Sequence, residues 1–246
     1  MCMYKRVMIK LSGGALADQS GNSFCPERLE HIANEILTIV ENGIEVSIVI
    51  GGGNIFRGSM ADAWGIDRVE ADNIGTLGTI INSLMLRGVL KSKTEKDVRV
   101  MTSIAVTSVA EPYIRLRAMH HLEKGHIVIF GGGNGQPFVT TDYPSVQRAI
   151  EINCDAIFVA KQGVDGVFTS DPKTTKDAKM YRVLHYNDVI KNNIKVMDQS
   201  ALLLARDYKL PVHIFNFDES GAMGRICMGE SIGTIVNNEE TVKNQY

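Results

Sequence analysis

Two turns of the same composition stand at the ends of apolar runs, VIGGGNIFRG at residues 49–58 and IVIFGGGNGQPF at residues 127–138. Glycine lets the backbone take positive φ and lets an anion approach main-chain N–H groups, and a following helix N-terminus adds favourable partial charge. Arg57, four residues after the last glycine of the first triplet, adds a guanidinium that can grip two phosphate oxygens at once. A third strand end supplies Lys10, followed by Leu11, Ser12, Gly13 and Gly14, a cation at the mouth of a polar, backbone-rich turn. A single such turn is equally well a tight turn beside a surface arginine. The pair, with Lys10 and Arg57, points to phosphate chemistry. Neither triplet fits GxxxxGK[ST] or GxGxxG in register, which disfavours a P-loop kinase and a dinucleotide-binding dehydrogenase.

These groups need elements to position them. Residues 7–11 read as a buried strand. Pro26 then opens a helical run with Leu29, Ile32, Ala33, Ile36, Leu37 and Val40 at helical spacing, and Gly43 ends it. Residues 46–50 form the next strand. A long helical pattern follows from about Asp72, with Ile74, Leu77, Ile81, Leu84 and Met85 on one face; Gly75 and Gly78 weaken that helix. Both apolar helices are candidates for core and for subunit contacts. Further strands are expected at 98–102, 127–130, 156–160 and 212–215, and a helix at 201–208. Strands alternating with helices imply an α/β fold with a mostly parallel sheet covered on both faces. Ligands of such sheets bind beyond the carboxyl ends of the strands, where both triplets must lie.

Composition bounds the rest. With 246 residues, 44% hydrophobic and 22% charged, the chain can bury a substantial core, and a single domain over 1–246 is the expectation. A net charge of −2 and a pI near 6.3 lack the basic field that a nucleic-acid polymer requires. Cys2, Cys25, Cys154 and Cys227 are far apart with no CxxC or Cys/His cluster, so neither a zinc site nor a disulfide framework is expected. The N-terminal stretch carries Lys5, Arg6 and Lys10 in place of an export signal's apolar core, and no run reaches the ~18 apolar residues of a membrane span. A cytoplasmic protein without a membrane partner is expected. None of His31, His120, His121, His126, His185 and His213 lies in a motif, and they read as solvated or core residues.

In chain order, KLSGGAL, VIGGGNIFRG, RVEADNIG, GNGQPFVTTD, GVDGVFTSDP and KVMDQSALLLARD resemble the bacterial UMP kinase (uridylate kinase) family of the amino-acid kinase superfamily. The resemblance spans residues 5–236. GGGN alone recurs in carbamate, acetylglutamate and aspartate kinases, so the specific element is GGGNIFRG together with VDGVFTSDP and KVMD. The resemblance implies a three-layer αβα sandwich with a mostly parallel central sheet, the amino-acid kinase fold, assembled as a homohexamer. It implies transfer of the γ-phosphoryl of ATP, carried with Mg²⁺, to UMP, giving UDP and ADP. Catalysis would fall to Lys10, Arg57 and Asp142. Lys10, Leu11, Ser12, Gly13, Gly53 and Arg57 match positions around the ATP phosphates, and Gln162, Phe168 and Asp171 match positions around the adenosine. The UMP positions correspond to Gly52, Asp72, Asn134, Gly135, Gln136, Pro137, Phe138, Val139, Thr140 and Thr141. Asp142 matches an acidic residue that organises the cations about the reacting phosphoryl; no separate metal ligand is implied, and Asp198 of KVMD is a further acidic candidate.

The chain departs from the family pattern at three places. Gly14 stands where GEAL has its acid, GNGQP replaces the commoner GTGNP, and Gln162 stands where Thr or Asn is common. The first weakens a carry-over of GTP activation; Asn134 and Gln136 still offer amide donors and acceptors. Two other readings stay open: a kinase of the same superfamily acting on a carboxylate or carbamate, and a nucleotide-sensing regulator without turnover. Asp72 with FVTTD speaks against the first, Lys10 and Arg57 against the second. Asp72 itself reads as a ribose ligand or as the N-cap of its helix.

Overall fold

The computed structural model describes residues 2–18, 20–172 and 174–243, the Ser59 side chain excepted. Strands β1 (Arg6–Leu11), β2 (Glu45–Ile50), β3 (Val98–Thr102), β4 (Glu111–Pro112), β5 (Ile127–Gly131), β6 (Ala156–Lys161), β7 (Tyr181–His185), β8 (Val212–Asn216), β9 (Thr234–Asn237) and β10 (Val242–Lys243) form one sheet. Their order is β10-β7-β9-β8-β6-β1-β2-β5-β3-β4. Helices α1 (Pro26–Glu41), α2 (Gly58–Trp64), α3 (Arg68–Lys91), α4 (Arg115–Glu123), α5 (Asp142–Glu151), α6 (Tyr186–Lys191), α7 (Gln199–Asp207) and α8 (Ala222–Cys227) cover it. From β8 to β4 every pairing is parallel, so the carboxyl ends of β6, β1, β2 and β5 lie along one edge. Only the far side adds antiparallel pairs, β8 with β9 and β10 with β7.

Alternation along β1 sets the layers. Val7, Ile9 and Leu11 point into a core shared with α1, α3 and α8, while Met8 points into a second core shared with α4, α5, α6 and α7. A sheet covered on both faces needs strands buried throughout, and β1 and β5 are, as is β6 up to its last residue. The expected αβα sandwich is therefore the observed one. Pro26 opens α1, and Gly43, at φ +82°, follows its end. Among the described residues no helix is long and apolar enough to cross a membrane.

Helix α3 departs from expectation at its start, and its apolar stripe, left open between core and subunit contact, is resolved. It begins one turn early, at Arg68, because Asp67 accepts from the N–H groups of Val69 (2.9 Å) and Glu70 (3.3 Å) and is the N-cap. Asp72 is therefore free of the capping role. The apolar stripe also faces outward: Leu77, Ile81 and Met85 are 49%, 45% and 38% exposed, whereas Gly78, Thr79, Asn82 and Ser83 are buried. Where α3 meets the turns described below its inward face is small and polar, as close approach and hydrogen bonds require, while Ile80, Leu86 and Leu90 of the same helix are buried as well. The α1 stripe, by contrast, is core. The short β4, α2 and α6 and the edge strands β7, β9 and β10 were not expected; they are too short or too exposed to carry a periodic apolar pattern.

Candidate active site

Lys10 is the penultimate residue of β1 and lies on the face that carries Met8. Its Nζ lies 2.6 Å from Asp142 Oδ1, and the lysine is buried. Asp142 opens α5, where a carboxylate complements the helix N-terminus. Its Oδ2 accepts from the Asp198 N–H at 3.0 Å. Asp198 occupies the N-cap position of α7 without capping it; its carboxylate accepts instead from the Thr140 hydroxyl. Thr140 Oγ1 in turn accepts from the Asp142 N–H at 3.2 Å. Lys10, Asp142, Asp198 and Thr140 thus form one connected chain across three loops.

A second, partly buried cation stands beside it. β1 and β6 are in register with Lys10 opposite Val159, so Lys161, two residues on, faces the same side of the sheet. Lys161 Nζ donates to the Val196 carbonyl at 2.9 Å, two residues before Asp198. Burial, and then the Lys10 charge, push its pKa down, while Asp142 opposes the shift. The sequence reading missed Lys161. The signal was there: AIFVAK ends a buried strand in lysine much as RVMIKL places Lys10.

The two glycine turns use glycine for different reasons. None of Gly51, Gly52 and Gly53 has positive φ; a Cβ on Gly52 would lie 2.4 Å from the Gly75 carbonyl of α3, so close approach is the requirement. Gly132 and Gly133 do take φ of +83° and +55°, as expected of such turns. Helix α3 ties both together. Asn82 Nδ2 donates to the Gly51 carbonyl and to Asn54 Oδ1, each at 2.7 Å, and Thr79 Oγ1 accepts from the Gly132 N–H at 2.7 Å. Thr79 and Asn82, three apart on one helical face, were also missed, because the apolar stripe opposite them left open which face of α3 turns inward.

Two cavities of about 360 Å³ open above these turns. The first is lined by Lys10, Ser12, Gly13 and Gly14; the second by Asp72, Asn134, Gln136, Val139 and Thr140. Both are lined by Gly52, Gly53, Arg57 and Thr141. The cavities therefore adjoin, with Arg57 at their boundary. Its Nε donates to the Gly53 carbonyl at 2.8 Å, which leaves the two terminal nitrogens for other acceptors. Such a site can hold two anionic groups side by side with cations behind them.

Other expected residues lie elsewhere. The Leu11 side chain is in the core; only its carbonyl takes part, accepting from the Gly51 N–H at 2.9 Å. Gly135, Pro137 and Phe138 do not line the second cavity. Gln162, Phe168 and Asp171 lie on the excursion from β6 to β7 and line neither cavity. That excursion is fixed from β8 and its following turn: Asp218 Oδ2 accepts from the Gly163 N–H at 3.1 Å, and Asn216 donates to Asp165 at 2.9 Å. A larger cleft of about 560 Å³, with Arg87, Arg99, Asp97 and Glu111 in its wall, contains none of the expected site residues. His213 is buried under Tyr4, whose hydroxyl is hydrogen-bonded with Nε2 at 2.7 Å, and burial lowers its pKa to about 4.

Among the described residues no three His, Cys, Asp or Glu side chains cluster to cage a metal ion. Asp142 and Asp198 do meet beside the first cavity with lone pairs to spare, the donor set that suits a hard cation held mainly by substrate phosphates.

The sequence pattern of the amino acid kinase family matches residues 5–216. A uridylate kinase of Frankia alni is 56% identical over 237 residues, covering 96% of this chain and 93% of that protein. Among solved structures, UMP kinase from Bacillus anthracis is 77% identical with a TM-score of 0.97, over 98% of this chain and 99% of that one. UMP kinase from Ureaplasma parvum is 34% identical with a TM-score of 0.90, over 95% and 99% of the two chains.

Proposed function

The chain belongs to the amino acid kinase family, and from that premise we propose that it is a UMP kinase, transferring the γ-phosphoryl of ATP to UMP to give ADP and UDP. The observation that carries the reading is the pair of adjoining cavities sharing Gly52, Gly53, Arg57 and Thr141, with Lys10 and Asp142 behind them. The names of its relatives agree.

In this reading the ATP phosphates occupy the first cavity, against Lys10, the N–H groups of the Ser12–Gly13 turn, and Gly53. UMP occupies the second, with Asp72 toward the ribose and the 134–141 loop around the rest. An oxygen of the UMP phosphate attacks the γ-phosphorus as the bond to the β–γ bridging oxygen breaks and leaves with ADP. The attacking oxygen is already ionised, so no base is needed. Catalysis then consists of alignment and neutralisation of charge. Arg57, at the boundary, reaches the group in transit; Lys10 and Lys161 make the potential on the donor side more positive, which favours the phosphates. Asp142, held by Lys10, orients that lysine and does not abstract a proton. Mg²⁺ accompanying ATP would be held by Asp142 and Asp198 and would supply further neutralisation of the phosphates. Gln162, Phe168 and Asp171 are assigned to the adenosine, beyond β6 on the donor side.

One ten-stranded sheet from Arg6 to Lys243 supports reading the chain as one amino-acid kinase domain. The outward stripe of α3, with a groove between Ile81, Leu84, Met85 and Val89, supports burial against a second copy within a closed homo-oligomer, a hexamer as the resemblance implies. Nucleotide substrates favour the cytoplasm.

The test is an ADP-release assay with UMP, CMP, carbamate and N-acetylglutamate as acceptors. UMP should be preferred by well over tenfold, because a mismatched carbonyl or amino group leaves a buried partner unpaired at ~1–3 kcal/mol. CMP turnover within tenfold of UMP would overturn the specificity. Turnover of carbamate or N-acetylglutamate in its place would overturn the acceptor class, and no turnover with any acceptor would favour a regulator.

A further inference from the structure

Asp72 is gripped from two sides. Within α3, Arg68 Nε lies 2.9 Å from each of its carboxylate oxygens. From the loop after β5, the Phe138 N–H donates to Oδ2 at 2.7 Å. Phe138 holds φ at +64°, a conformation that bulky side chains rarely adopt, and its ring is 67% exposed. The guanidinium carbon of Arg68 stands 5.8 Å from that ring. Arg68 therefore touches both ends of a bridge between α3 and the 134–141 loop. The bridge borders the second cavity, because Asp72 of α3 and Gln136, Val139 and Thr140 of the loop all line it.

As an exposed ion pair one turn apart on a helix, Arg68–Asp72 would contribute little to stability. Such a pair does not account for the Phe138 N–H sharing the carboxylate, nor for a phenylalanine kept at positive φ with its ring turned toward the guanidinium. Those two features make sense if the orientation of the carboxylate, rather than its charge alone, is what has to be fixed.

We propose that Arg68 is a positioning residue for acceptor recognition. It sets the plane of the Asp72 carboxylate, and through Phe138 the seat of the 134–141 loop, so that the remaining lone pairs of Asp72 face the sugar hydroxyls of the acceptor nucleotide. A carboxylate has about four acceptor sites, so the contacts with Arg68 and Phe138 leave capacity for a hydroxyl, in a direction fixed before the nucleotide arrives. The proposal rests on the reading of Asp72 as a ribose ligand, and the experiment separates the two.

The measurement is kcat and KM for UMP and dUMP, with KM for ATP, in the wild type, Arg68→Gln, Arg68→Lys, Asp72→Asn and the Arg68→Gln/Asp72→Asn double variant. Arg68→Gln is expected to raise the UMP KM about tenfold, to narrow the UMP/dUMP preference, and to leave the ATP KM and kcat within a few-fold. Arg68→Lys keeps the charge without the planar nitrogen and should restore only part of the loss. The double variant should be no worse than Asp72→Asn, because Arg68 acts through that carboxylate. A loss of helix stability alone would shift the melting temperature without moving the UMP/dUMP ratio. If Asp72→Asn narrows the ratio while Arg68→Gln leaves both it and the UMP KM unchanged, the positioning role is overturned and the ribose assignment stands. If Asp72→Asn itself leaves the ratio unchanged, the ribose assignment fails and takes the proposal with it.

Discussion

Buried Lys10 and partly buried Asp142 lie 2.6 Å apart, so removing either leaves the other without its partner in a poorly solvated place. Lys10→Ala and Arg57→Ala should lower kcat far more than they raise the UMP KM, since their charges count most as the transferring group develops its transition-state charge. By analogy with oxyanion donors, the loss is ~2.7–4 kcal/mol per group, read from steady-state kinetics; near wild-type kcat in either variant would remove that residue from the phosphate clamp. Lys161→Met should behave in the same way, with UMP KM again the smaller effect. His213 belongs to stability instead. Its pKa is lowered by burial from 6.5 to about 4, so as pH falls the unfolded imidazole takes up its proton first. Stability is full above about pH 6.5 and is lost progressively down to about pH 4, by roughly 3 kcal/mol in all. Urea midpoints measured between pH 7 and pH 4 should therefore fall more steeply for the wild type than for His213→Gln. At this scale the sequence was legible where glycines flagged the residue. Lys10, which glycines follow, was found; Lys161, followed by Gln162 and only one glycine, was not.

The turn after β2 and the helix α3 work as one piece. Gly52 lies against the Gly75 carbonyl so closely that Gly52→Ala would place its Cβ 2.4 Å from that oxygen. The turn must then lift off the helix and strain the contacts of Asn82 with Gly51 and Asn54. Activity should be lost, with a fall in stability of ~1–3 kcal/mol, the usual range for overpacking, measured by melting and by the ADP-release assay. Retained activity would mean that the turn is looser than its packing suggests. The strand–turn–helix sequence around both triplets was readable from hydrophobic pattern and glycine spacing alone. The facing of α3 was not, because a helical stripe of Leu77, Ile81 and Met85 suits core or interface alike unless its opposite face, here Thr79, Asn82 and Ser83, is known to meet polar turns. Periodicity reports that a helix has two faces; it does not say which one meets the protein.

At the scale of the molecule, that outward stripe is the feature to test. Ile81→Asp should split the assembly into smaller species in light scattering at micromolar concentration, whereas a wild type that is already monomeric there would overturn the oligomer. The central layer was legible as a whole, since strands apolar on both faces and separated by helices leave few topologies beyond a covered parallel sheet. The mixed edge of β7, β9 and β10 was not, because half-exposed short strands carry no such mark. The order of the central strands has one more consequence. β6 lies directly beside β1, so Lys161 meets Lys10 only after more than half the chain has been looped back, and Asp198 joins them later still in the sequence. Contacts of such long range close slowly, because loop entropy must be overcome before they form. No early folding species can hold the cations in place, and during refolding the return of catalysis should follow the recovery of helical signal, marking the final closure of the sheet.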